Sequence, residues 1–363
     1  MKSRFIALAM LLGSLSAVLH AQTVPPTPIV VAQPLAPRSG SADYQRDFAL
    51  GAKVYFDHVN LAGGIRGRRI VHRLVDTADA PARRLLAERP DVLFGIVGDA
   101  TIDAVARDPA VRAGRLPLFA TIGYAPAAGD GAIALRPSLD DEIVAMLAQL
   151  QQFGIASFAL LHGNDLPGAT IAQIEQRATG LGIGIAVRQV LLNRSANQPE
   201  AIQAVFARRP QAVLAIADTL GVANFFREYR KRDPGAFLAT SSQADIRTLT
   251  EVMGQQAARG LIVSQVVPSP NAPSEIAREH RRLMARYADE PASPATLEGF
   301  IAARVLVTAL NGASEITPTA LRRALSASGK LRLGGFALDF ERPSRPSDFV
   351  ELSVVTRDGK LLR

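Results

Sequence analysis

The chain has 363 residues, a hydrophobic content of 48% and a formal net charge of +8, which is apolar material for two cores rather than one. It contains no Cys and no Trp. That excludes a disulfide framework, thiolate metal sites, a cysteine nucleophile and a lipid carried on an N-terminal cysteine, and it argues against sugar stacking. The arginines are scattered without interleaved aromatics, so no nucleic acid is expected as a partner.

Lys2 and Arg4, the apolar run from Phe5 to Leu12 and the small residues Gly13, Ser14, Ser16 and Ala17 read as a secretory signal, because that order of charge, apolar core and small residues is what export requires. Residues 1–21 are the expected leader, with the mature start near Gln22. The apolar run is too short to span a bilayer.

Strands and helices then alternate. Ile29 to Ala32 is a continuous apolar run, the mark of a strand buried on both faces. Phe48, Ala52, Tyr55 and Val59 repeat at helical spacing, predicting a helix from Tyr44 to Ala62 closed by Gly63-Gly64. Strands follow at Ile70–Val75, Val92–Val97, Leu118–Thr121 and Ile133–Leu135, with one helix at Thr101–Arg112. The pattern restarts with helices at Ile143–Phe153, Ala169–Thr179, Glu200–Arg208 and Val222–Arg230. Its strands are Phe158–Leu161, Ile185–Val190, Val213–Ala217, Phe237–Thr240 and Leu261–Val266. Three helices come next, Glu275–Tyr287, Ala295–Leu310 and Pro318–Ala327, then an antiparallel tail at Phe336–Phe340 and Val350–Thr356.

Repeated strand–helix units imply an α/β protein with parallel sheets wound on both faces. The pattern is long enough for two doubly wound parallel-sheet lobes joined by a multi-strand hinge. Crossovers are expected at Arg136–Asp140, Gln265–Pro270 and Leu333–Phe336. They divide the chain into a first lobe of residues 24–137 and 268–334 and a second of 138–267 and 335–363.

Several segments resemble one family when taken in order. Gly51-Ala52-Lys53, Asn60 to Ile70, Asp76, Pro81-Ala82-Arg83 and Phe94 to Gly98 are similar to the N-terminal signature of leucine/isoleucine/valine-binding proteins. Leu297 to Ala303 resembles the family's "LEGYIAA" helix. Leu333-Gly334-Gly335-Phe336, Asp339-Phe340 and Phe349 to Leu352 resemble its C-terminal end. The resemblance implies a type I periplasmic binding protein fold and the role of solute-binding component of an ABC importer. It implies a periplasmic monomer that closes over an amino acid or a related carboxylate or amide and meets an ABC permease in the inner membrane. The same fold also serves sensing, as a ligand-binding subunit for a receptor or histidine kinase.

In open parallel sheets, ligands bind beyond the carboxyl ends of the strands. Those ends nominate Arg38 and Ser39, then Asp99, Ala100 and Thr101, then Ile122, Gly123 and Tyr124 in the first lobe. In the second lobe they nominate Asn164, Asp218, Ser242 and Gln243. A glycine turn into a helix at Gly98 suits a ligand carboxylate, although Asp99 or Thr101 also suits a helix cap. Asp99 stands where relatives carry Ser or Thr, Arg38 replaces a small hydroxyl residue, and Pro167 replaces a tyrosine. Ser242-Gln243 stands where an acidic residue often holds an α-amino group. His58 and His280 are expected on solvated helix faces, and His162 as a loop histidine with its hydrogen bonds met. No nucleophile elbow, Walker A motif, dinucleotide fingerprint or spaced metal-ligand set is present, so no enzyme, cofactor or metal is expected.

Overall fold

The computed structural model describes residues 26–36, 41–77, 80–123, 132–192, 198–342 and 345–362. The leader, Arg38, Ser39 and Tyr124 lie outside the described residues.

The first sheet is wholly parallel. It contains β1 (Ile29–Leu35), β2 (Ile70–Asp76), β3 (Val92–Phe94), β4 (Leu118–Phe119) and β5 (Ala132–Ile133), in the order β2-β1-β3-β4-β5. Helices α1 (Ala42–Leu61), α2 (Pro81–Ala87), α3 (Asp99–Ala106) and α4 (Pro109–Arg112) connect these strands. The chain leaves β1 for β2 on one side and reaches β3 on the other. This reversal opens a crevice at the carboxyl ends of β1 and β3.

The second sheet repeats the plan with β6 (Ser157–Gly163), β7 (Gly184–Leu191), β8 (Ala212–Ile216), β9 (Phe237–Thr240) and β10 (Ile262–Gln265). Its helices are α5 (Leu139–Gln152), α6 (Gly168–Gly180), α7 (Gln198–Arg208), α8 (Thr219–Arg232), α9 (Ile246–Met253) and α10 (Gln255–Ala258). The chain then returns to the first lobe as α11 (Glu275–Tyr287), α12 (Pro294–Gly312), α13 (Pro318–Ala327) and the antiparallel pair β11 (Lys330–Arg332) and β12 (Ala337–Asp339). Finally β13 (Glu351–Val355) joins β10 antiparallel, and β14 (Leu361–Leu362) joins β13. The second sheet runs β14-β13-β10-β9-β8-β6-β7, with its reversal between β6 and β8.

Three expectations need correction. The helix expected over Thr101–Arg112 is two helices. Pro109 has no N–H to continue the ladder, so Asp108 leaves the helix with ψ 138° and caps α4 by accepting from the Ala110 N–H. The third crossover does not fall at Leu333–Phe336. Phe336, Leu338 and Phe340 all pack into the first lobe's core beside Phe300 and Leu321, and Phe349 packs against it, so we place the crossover between Phe349 and Glu351. His280 is not on a solvated face. It is fully buried, and its ring stands edge-on to Phe300 at 5.4 Å.

The first core is built on α1 and α12, which cross at two glycines. A Cβ on Gly51 would fall 1.8 Å from the Thr296 carbonyl oxygen, and one on Gly299 would fall 1.9 Å from the Phe48 carbonyl oxygen. Only hydrogen fits at either position. This close approach carries Tyr44 and Glu298 to one place beside the crossovers.

Candidate functional site

The strand ends of the first lobe bring five nominated residues together. β3 and β4 continue side by side through the bridge between Val97 and Ile122, and the Gly98 N–H donates to the Ile122 carbonyl at 2.8 Å. Gly98 turns with φ 93° into α3 and is its N-cap, so the residue at the cap has no side chain to offer. The first turn of α3 is therefore Asp99, Ala100 and Thr101, at the positive end of the helix dipole. The Asp99 carboxylate lies over Gly123, where a Cβ would come within 2.2 Å of Oδ1. Glycine at 123 is what lets Asp99 fold over the end of β4.

The nominated residues of the second lobe follow three strand ends, those of β6, β8 and β9. His162 is buried within β6 rather than in a loop, with Nδ1 2.8 Å from the Gly163 carbonyl oxygen. Asn164, just beyond, is exposed. Asp218 is the N-cap of α8, and its Oδ1 accepts from the Gly221 N–H at 2.9 Å. Its other oxygen, Oδ2, is buried without a hydrogen-bond partner among the described residues. Gln243 is half-buried. Ser242 is engaged from behind: its N–H donates to Glu142 Oε2 at 3.0 Å, and its hydroxyl accepts from Arg136.

Those last bonds belong to a buried polar cluster that sequence reasoning did not find. Arg136 lies in the first crossover with 7% of its side chain exposed. Its guanidinium reaches Glu142 Oε1 at 3.0 Å, Glu298 Oε1 at 3.4 Å and the Tyr44 hydroxyl at 3.2 Å. The Tyr44 hydroxyl in turn donates to Glu298 Oε2 at 2.8 Å, and the Ser264 hydroxyl donates to Glu142 Oε2 at 2.5 Å. Burial opposes the charge on Arg136, but Glu298, Tyr44 and Glu142 outweigh it and hold the guanidinium protonated above its ordinary range. Burial pushes the Glu298 carboxyl up against the pull of Arg136, and burial with Glu298 pushes the Tyr44 phenol well up. Glu298 was a visible signal, being a lone acid in the apolar run Leu297 to Leu310 that must find a cation once buried. Arg136 gave no comparable sign of burial.

A cavity of about 20 Å³, lined in part by Thr121, Ile122, Arg136, Val266 and Glu298, has room for about one water. At the flank, α1 meets α9. Asp47 Oδ2 accepts from Arg247 Nη2 at 2.6 Å and from the Ser293 hydroxyl at 2.6 Å, and the Thr248 hydroxyl donates to Asp43 Oδ2 at 2.7 Å. A groove of about 540 Å³ runs beside these bonds, between α1 and α9. Among the described residues no group of three or more His, Asp or Glu is placed to hold a metal ion.

Comparison with known proteins fits this geometry. A search of curated proteins returns no match. A substrate-binding periplasmic protein from Ralstonia solanacearum is similar at 30% identity, with a TM-score of 0.83 over 92% of this chain and 99% of that one. A possible leucine/isoleucine/valine-binding protein from Rhodopirellula baltica SH 1 shares the fold at 21% identity, with a TM-score of 0.82 over 94% and 98%. An ABC transporter solute-binding protein from R. palustris, in complex with benzoate, shares it at 15% identity, with a TM-score of 0.78 over 92% and 95%. The family model described as periplasmic binding protein matches residues 34–353. The match of that model over most of the chain, on two parallel-sheet lobes, places this chain in the periplasmic binding protein family.

Proposed function

We propose that this protein captures an amino acid or a related small polar or anionic molecule between its lobes and presents it to an ABC permease. We read it as a monomer exported to the periplasm by residues 1–21. The observation that supports the capture reading best is the pair of parallel sheets, each reversing its strand order and each with nominated residues at its strand ends. Asp99–Thr101 with Ile122–Gly123 lie at strand ends of one lobe, and Asn164, Asp218, Ser242 and Gln243 at strand ends of the other. The α3 N-terminus and the Thr101 hydroxyl suit a carboxylate. Asp99 and Asp218 Oδ2, which has no hydrogen-bond partner among the described residues, suit an amino group. The benzoate complex and the leucine/isoleucine/valine-binding relative bracket that class of ligand. Closure over such a molecule is a shift between open and closed populations that the ligand drives by touching both lobes.

The test is calorimetry on mature protein that has been unfolded and refolded to strip carried ligand. Leucine, glutamate, benzoate, acetamide and urea are titrated in turn. One class is expected to bind one-to-one with micromolar affinity, about −8 kcal/mol. A folded protein that gives no heat with any of the five refutes the ligand class proposed here.

A further inference from the structure

The buried cluster joins elements of both lobes at the crossovers themselves. Arg136 lies on the first crossover, between β5 and α5. Ser264 lies at the end of β10, where the second crossover begins; Val263 packs in a core of the second lobe and Val267 in the core of the first. Around Arg136, Tyr44 and Glu298 come from the first lobe, and Glu142 and Ser242 from the second. A point on the line through both crossovers moves least when two lobes rotate about them. Groups bonded there stay bonded as the lobes swing, and they define the line.

We propose that Arg136 is a positioning residue for solute capture, a pivot that fixes the start of α1 in the first lobe against the loop after β9 in the second. Three physical facts require an arginine. Its planar fork offers five donors and serves acceptors on opposite sides at once, whereas a lysine ammonium is a single point of charge. Two buried carboxylates from opposite lobes face each other here and need one cation between them. Ser242 has both its N–H and its hydroxyl tied into the same cluster, so its place in the crevice is set from the hinge. Tyr44 is tied in likewise at the first turn of α1. Without the fork the lobes remain joined by their crossovers but lose a defined axis, and the two walls no longer meet in one register. The proposal deepens the capture reading, which supplies the reason for holding that register, yet its test needs no ligand.

The chain has no cysteine, so a pair of labels can be placed without background. Arg107→Cys at the end of α3 and Gln173→Cys on α6 are exposed sites, one on each lobe. Spin labels there report the interlobe distance by pulsed electron resonance. The expected result for Arg136→Lys is a distance distribution at least twice as wide as that of the parent, with cooperative thermal unfolding retained. If that variant does not fold, Arg136→Met combined with Glu142→Gln and Glu298→Gln removes all three charges at similar shape, and the same broadening is expected. A group that only stabilises the fold would lower the unfolding temperature and leave the distribution at its parental width. That outcome, in whichever variant folds, overturns the proposal. A broadened distribution in a protein that binds none of the five calorimetric probes keeps the pivot and removes the ligand class instead.

Discussion

Gly299→Ala is expected to lower the unfolding temperature by roughly 2–4 °C, because an overpacked core costs about 1–3 kcal/mol and occasionally more. The added methyl would lie 1.9 Å from the Phe48 carbonyl oxygen. The obstacle is backbone, so no side chain can rotate away and the two helices must part. α1 carries Phe48 and Phe56, and α12 carries Phe300 and Leu306, all fully buried in one core, so parting the helices loosens that core as a whole. Gly180→Ala is the matched reference. Gly180 is the last residue of α6, with nothing near the position of an added Cβ. There alanine is expected to raise stability by about 0.4–1 kcal/mol through the unfolded chain alone. Scanning calorimetry on both variants decides the point, and equal shifts would refute the close-crossing argument.

Mild acid is the second large effect. Burial lowers the pKa of His280 from 6.5 to about 4, with Arg281 adding to the shift. Neither ring nitrogen has a hydrogen-bond partner among the described residues. Burial likewise lowers His72 to about 3, with a contribution from Lys53. A histidine with a depressed folded pKa binds fewer protons folded than unfolded. Its contribution is full above pH 6.5 and is lost as the pH falls from there towards the folded value. The slope is about 1.4 kcal/mol per pH unit for each such histidine. His280→Leu removes the titration and two unsatisfied polar atoms together. The variant is expected to be at least as stable as the parent at pH 7 and to lose less stability between pH 6.5 and 4.5. Urea unfolding across that range measures both. Parallel pH curves for variant and parent would mean that His280 titrates normally.

The two kinds of miss in the sequence reading have different causes. Long apolar runs such as Ile29–Ala32 and Val213–Ala217 define strands by themselves, because a run buried on both faces needs no partner to be recognised. That the sheets are parallel followed from the alternation of their strands with helices. His280 was legible and misread. Ile276, Leu283 and Met284 stand four before it and three and four after it, so it falls on the buried stripe of α11. The Arg136 cluster was not legible. Its members stand at positions 44, 136, 142, 242, 264 and 298, and no periodicity relates them. Only the folded arrangement of two crossovers and two lobes makes them neighbours. Ser242 was nominated at the right strand end, but its bonds to Arg136 and Glu142 depend on residues about a hundred positions away.

The contact between α1 and α9 bears on how ligand affinity is set. Asp47, Arg247, Asp43 and Thr248 join the lobes through protein groups alone. Any free energy they supply to the approach of the lobes is free energy a solute need not provide. Apparent affinity scales with the fraction of molecules already competent to bind. Exchanges at these four positions would therefore tune tightness for every solute by one common factor, while the order of preference among solutes stays with the crevice walls. Strength and selectivity of capture are then separately adjustable, and a change at the flank can retune the protein to a richer or poorer environment without changing what it recognises.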